Sequence, residues 1–196
     1  LHQNLLIPTF KFPNETFHYL IANPPYGKNW DRDKQDVHNE HSMGKLGRFE
    51  PGLPRSSDGQ MLFILGLLHK MRPVSIGGSR MAIVTNGSPL CTGDANGGES
   101  EIRRYLLEND YVEAIIALPE NIFYNTAITT YIWILSNRKE KKRKGKIQLI
   151  NATSEDFWKP IKKNMGKKNR VMDKHHIKSI VQIYKSFEQN SELSKV

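Results

Sequence analysis

The sequence predicts an α/β fold organised around one mostly parallel sheet, and three observations predict it. Short apolar runs alternate with stretches of helical periodicity between residues 17 and 118. The first run, residues 17–22 (Phe-His-Tyr-Leu-Ile-Ala), enters Asn23-Pro24-Pro25-Tyr26, where two prolines must end a strand. The last two apolar runs, 112–118 and 129–135, are separated only by residues 119–128. That stretch holds no helix, so the final strand is expected to run antiparallel to its neighbours.

The elements follow in order. Residues 27–57 are polar, rich in Gly, Asp, Asn, His and Arg, and read as a long loop of the kind that often carries function. Asp58 or Ser57 can cap a helix in which Met61, Ile64, Leu65, Leu68 and Met71 recur at helical spacing. Gly77-Gly78 turns the chain into a second strand at 80–85, and residues 86–98 read as another loop. A helix at 99–109 buries Ile102, Tyr105 and Leu106, and Pro119 ends the third strand, 112–118. The fourth, 129–135, is rich in β-branched and aromatic residues. Residues 138–146 (Arg-Lys-Glu-Lys-Lys-Arg-Lys-Gly-Lys) form a basic connector too polar to be buried. The remainder, 147–196, is an extension with one strand at 147–150 and one helix at 173–187 carrying Ile177, Ile180, Val181 and Tyr184.

With 196 residues the chain can bury a sizeable core. It has no apolar run long enough to span a bilayer and no signal peptide, so no membrane partner is expected. Leu1 stands where an initiator Met is expected, which reads as a piece of a longer protein. Cys91 is the one cysteine; it excludes an internal disulfide, fits a reducing cytoplasm and gives no support to a zinc site. His38, His41, His175 and His176 read as surface histidines, and no metal is expected. The net charge of +9 fits a polyanionic partner, and equally a soluble protein with a basic tail.

The chemistry centres on Asn23-Pro24-Pro25-Tyr26. An exocyclic amine is a poor nucleophile, because its lone pair is delocalised into the ring. Two acceptors aimed at its N–H groups favour the pyramidal form and stabilise the positive charge that develops during alkylation. Asn23 offers a side-chain carbonyl and Pro24 a backbone carbonyl, while Pro25 stiffens the turn. Tyr26 offers a flat face for stacking a base. Following a strand, the motif sits at a carboxyl end of the sheet, where open α/β folds bind ligands. The bland alternative is a proline turn that closes a strand.

Asn23-Pro-Pro-Tyr-Gly with Trp30 resembles the adenine-binding motif of N6-adenine DNA methyltransferases, and is most similar to the modification subunit of type I restriction–modification systems. The resemblance continues through Arg48-Phe49, Gly52-Leu53-Pro54, Ser57-Asp58-Gly59-Gln60, residues 82–87 and residues 97–103. Its longest stretch is Ile115-Ile116-Ala117-Leu118-Pro119 with Asn121-Ile122-Phe123-Tyr124-Asn125-Thr126, and it reaches residues 144–152. It implies that residues 1–137 are the C-terminal part of a catalytic domain, the later half of a Rossmann-like S-adenosylmethionine-dependent sheet. It further implies double-stranded DNA, a specificity subunit and a restriction subunit as partners, and a flipped adenine as substrate.

By the same resemblance Asn23, Pro24 and Tyr26 are the catalytic residues, and Pro25 and Phe123 contact the base. Asn23 and Met61 lie near the cofactor. Phe123 also fits a plain core position, and Met61 begins a stripe that reads as core. The family's glycine-rich cofactor loop precedes the Asn-Pro-Pro-Tyr strand, whereas residues 1–16 hold no glycine. The S-adenosylmethionine pocket is therefore expected to be incomplete and the piece inactive alone. Two other readings stand beside this one: methylation of a protein glutamine amide, another planar amine, and a non-catalytic docking module.

Overall fold

The computed structural model describes residues 14–124, 126–190 and 192–196. Residues 1–13, and Asn125 of the segment quoted above, lie outside the described residues. In chain order the strands are β1 (Tyr19–Ala22), β2 (Arg80–Thr85), β3 (Val112–Leu118), β4 (Thr130–Ser136), β5 (Gln148–Asn151), β6 (Lys159–Met165), β7 (Lys168–Val171) and β8 (Ser194–Lys195). The helices are α1 (Lys34–Ser42), α2 (Gln60–His69), α3 (Ser88–Cys91), α4 (Gly98–Glu108) and α5 (Lys174–Ser186).

Six strands form one sheet in the order β1-β2-β4-β3-β5-β8, and β6 and β7 form a separate hairpin. β1 and β2 are parallel, as are β3 and β5. β4 lies between β2 and β3 and is antiparallel to both, as the helix-free connection requires. This reversal decides what sits at each edge of the sheet. β1, β2 and β3 end at one edge, and β4 carries the chain away from it. The basic connector 138–146 therefore lies at the far edge. β5 brings the chain back, so the β6–β7 hairpin follows at the edge where β1 ends.

Two apolar clusters flank the sheet. Leu20, Met81, Ile83, Trp133 and Leu135 pack with Met61, Leu62, Ile64 and Leu65 of α2 and with Ile102 and Leu106 of α4. Ile116, Leu118 and Ile150 pack with Phe157 and with Ile180 of α5. The alternation of buried and half-buried residues along β2 shows one face turned to the first cluster. Among the described residues no helix is long and apolar enough to cross a membrane.

Several details differ from the expectations. The polar stretch 27–57 is not a bare loop: it contains α1, whose one buried residue is Val37, and it buries Trp30 and Phe49. Helical periodicity cannot show with a single apolar anchor, and the Trp30 indole is fixed by a distant partner, the Arg55 carbonyl at 2.9 Å. α2 is capped by neither Asp58 nor Ser57. Its N-cap is Gly59, and the Asp58 carboxylate instead accepts from the Gln60 backbone at 3.1 Å and from the Gln60 amide at 3.0 Å. The loop at 86–98 contains the single turn α3. Past residue 147 the structure has the expected strand and helix and adds the β6–β7 hairpin and β8. The connector is not wholly solvent-exposed either: Arg143 is 2% and Lys139 7% exposed.

Candidate functional site

β1 delivers Asn23 to the carboxyl edge of the sheet, and Pro24 and Pro25 end the strand there. β3 ends at the same edge, so the connection to β4 places Phe123 and Tyr124 opposite the proline turn. Between them lies an open cleft of about 850 Å³. Asn23, Pro24, Pro25 and Tyr26 form one side; Phe123, Tyr124, Thr126, Ala127 and Ile128 form the other, with Lys167 from the β6–β7 turn. Five residues named from sequence, Asn23, Pro24, Pro25, Tyr26 and Phe123, are thus brought together. Met61 is not: it is 2% exposed within the first core cluster and does not line the cleft.

Asn23 is exposed, Pro24 is buried and Tyr26 is half-buried. The Tyr26 hydroxyl donates to Asn23 Oδ1 at 3.0 Å. Burial pushes the Tyr26 phenol up to about 12, so it remains a protonated donor across the physiological range. An amide oxygen has two lone pairs, so this bond orients the Asn23 side chain and leaves it a second acceptor position. Phe123 is half-buried: it lines the cleft and also packs against the second cluster.

Sequence reasoning gave Tyr124 and Lys167 no role. Tyr124 stood inside the quoted segment, and Gly166-Lys167 is a Gly-X turn, which is a hairpin signal, with φ of 62° at Gly166. Behind the cleft, α2 is tied to the end of β2. The Gln60 amide donates to Asn86 Oδ1 at 2.8 Å, and its oxygen accepts from Asn86 N at 2.9 Å. Among the described residues no group of three or more His, Cys, Asp and Glu could hold a metal ion.

The family model for N-6 DNA methylases matches residues 2–196. The chain belongs to that family. Among its relatives, the type I restriction enzyme MjaIX methylase subunit of Methanocaldococcus jannaschii is 29% identical over 187 residues, which is 95% of this chain and 31% of that protein. The type I restriction–modification methyltransferase subunit from Streptococcus thermophilus is similar in structure, with a TM-score of 0.73 and 28% identity over 95% of this chain and 35% of that one. A putative class I S-adenosylmethionine-dependent methyltransferase from Listeria monocytogenes shares the fold, with a TM-score of 0.52 at 18% identity over 87% of this chain and 42% of that one. The sheet is thus part of a Rossmann-like methyltransferase sheet with its antiparallel strand in place. The chain spans about a third of the length of the curated relatives it matches.

The cleft does not by itself fit S-adenosylmethionine. Among the described residues that line it there is no carboxylate for the ribose hydroxyls and no glycine turn for close backbone approach.

Proposed function

We propose that this chain is the base-holding part of a DNA N6-adenine methyltransferase, the modification subunit of a type I restriction–modification system. One observation carries the reading: in an N-6 DNA methylase family member, an exposed asparagine oxygen, braced by Tyr26, faces an aromatic wall across an open cleft. S-adenosylmethionine is the methyl donor of the whole protein. Its pocket requires chain beyond these residues, and the piece alone is inactive.

The residues act on the base. The adenine amino group is reached only after the nucleotide leaves the duplex. Asn23 Oδ1 and the Pro24 carbonyl then accept its two N–H groups and stabilise the charge that develops on nitrogen. Pro25 holds the turn rigid. The rings of Tyr26 and Phe123 supply stacking faces, each worth about 1–3 kcal/mol per base. No strong base is needed, because the methylated, charged amine loses its proton to water. The proposed partners are double-stranded DNA, a specificity subunit that reads the sequence and a restriction subunit, in the cytoplasm.

The test supplies labelled methyl donor to the full-length, assembled protein with duplex DNA in one arm and protein glutamine substrates in the other. Label in adenine N6 of DNA is the expected result. Label in protein, or in neither, overturns the reading.

A further inference from the structure

The β6–β7 hairpin carries Lys159, Lys162, Lys163, Lys167, Lys168 and Arg170, and residues 159–171 contain no acid. Three of these cations are engaged in holding the hairpin. Lys159 Nζ pairs with Asp173 at 3.0 Å, Lys168 lies over the Tyr124 ring at 5.1 Å, and Arg170 stacks on Trp158 at 3.9 Å. The backbone adds two bonds, from Asn169 N and Arg170 N to the Asn121 carbonyl at 3.1 and 3.3 Å. The Tyr124 hydroxyl donates to Met165 Sδ at 3.2 Å. The hairpin is thereby fastened to the segment that supplies Phe123 and Tyr124 to the cleft.

The other three, Lys162, Lys163 and Lys167, are exposed and make no ion pair among the described residues, and Lys167 lines the cleft itself. We infer that this hairpin is a phosphate clamp that grips the DNA backbone next to the extruded adenine. The inference rests on the proposed base-holding role of the cleft. A nucleotide that rotates out of the helix brings its flanking phosphates to the mouth of the pocket that receives it. Lys167 at that mouth, with the unpaired Lys162 and Lys163 on the same hairpin, neutralises those phosphates and releases their counterions. Such contacts place the strand without reading its sequence.

The experiment uses the full-length, assembled protein and measures affinity for duplex DNA against salt concentration. Lys162→Ala/Lys163→Ala/Lys167→Ala is compared with the Lys→Arg triple and with Lys141→Ala/Lys142→Ala/Lys144→Ala, which removes equal charge at the far edge of the sheet. The salt slope should fall by about 2.7 in the hairpin triple, at roughly 0.9 per phosphate contact. The Arg triple should keep the slope, and the far-edge triple should lose less than about one contact's worth. An unchanged slope in the hairpin triple, or an equal fall in the far-edge triple, overturns the clamp. So does loss of a partner subunit with an unchanged slope, which would make the hairpin a protein-docking surface. Failure of the cleft reading is visible separately, as normal methylation by Asn23→Ala, a variant that leaves these lysines untouched.

Discussion

The connector at 138–146 and the hairpin at 159–171 are both dense in lysine and arginine, yet they do different work. In the connector, Arg143 is an internal strut. Its guanidinium lies 3.5 Å from the fully buried Glu113, stacks on Tyr184 and Phe187 at 4.2 and 4.3 Å, and donates to Gln148 at 3.1 Å. Lys139 is likewise buried, paired with Asp110 and bonded to the Lys146 carbonyl. In the hairpin the engaged cations are exposed or half-buried, three others face solvent, and one of these, Lys167, lines the cleft. Composition does not separate the two segments. The direction of β4 does, by sending one run to the far edge of the sheet and leaving the other beside the cleft.

The largest expected effect breaks the symmetry in stability. Arg143→Ala leaves Glu113 buried with Arg80 as its remaining ion-pair partner, 2.9 Å away. Arg80 still compensates Glu113, so the loss is mainly the guanidinium's stacking on Tyr184 and Phe187, about 1–4 kcal/mol for the two rings. The hairpin triple should unfold within about 0.5 kcal/mol of the parent, as exposed positions do. Denaturant unfolding of both variants checks the contrast. Equal destabilisation would mean that the hairpin is also structural.

A smaller effect sharpens the comparison at Tyr26. Tyr26→Phe removes the phenol that orients Asn23 but keeps the stacking ring. A lost hydrogen bond of this kind is worth about 0.5–1.5 kcal/mol, roughly a two- to tenfold fall in methylation rate. Tyr26→Ala should lose the stacking face as well, about 1–3 kcal/mol more. Single-turnover rates that do not separate the two variants would contradict a stacking role. Neither change should alter the salt slope that the hairpin lysines set.

The smallest effect concerns the hairpin's tether. A hydrogen bond from Lys159, then one from the His176 backbone, holds the Asp173 carboxyl at about 2, below its ordinary 3.8. A depressed carboxyl stabilises the fold fully above its ordinary value, and that contribution is lost as pH falls through about 2. The amide resonances of His175 and His176, which donate to Asp173 at 2.9 and 3.2 Å, should therefore shift with a midpoint near 2. A midpoint near 3.8 would show that Lys159 does not hold the cap.

Legibility followed burial. β2, β3 and β4 announce themselves through apolar residues, and the short connection 119–128 was enough to expect an antiparallel β4. α1 was hidden because Val37 is its only buried residue, and Trp30 and Phe49 are buried by contacts far along the chain. The hairpin was hidden because its alternation is between lysines and other exposed residues, so no apolar period marks it. At the site, Asn23 to Tyr26 stood out as a motif and Phe123 through the family resemblance. The Tyr26–Asn23 bond spans three residues but depends on how the proline turn folds, and the Gly166-Lys167 turn signals a hairpin without showing that it reaches the cleft.

The central claim is that Asn23 holds the amine of an extruded adenine, and single-turnover methylation by the full-length, assembled Asn23→Ala variant tests it most directly. Loss of one of two acceptors should raise the barrier by about 2.7–4 kcal/mol, a fall of roughly a hundred- to a thousandfold. DNA affinity at fixed salt should hold, because phosphate contacts supply most of it. Near-normal turnover by Asn23→Ala with unaltered DNA binding would contradict the claim.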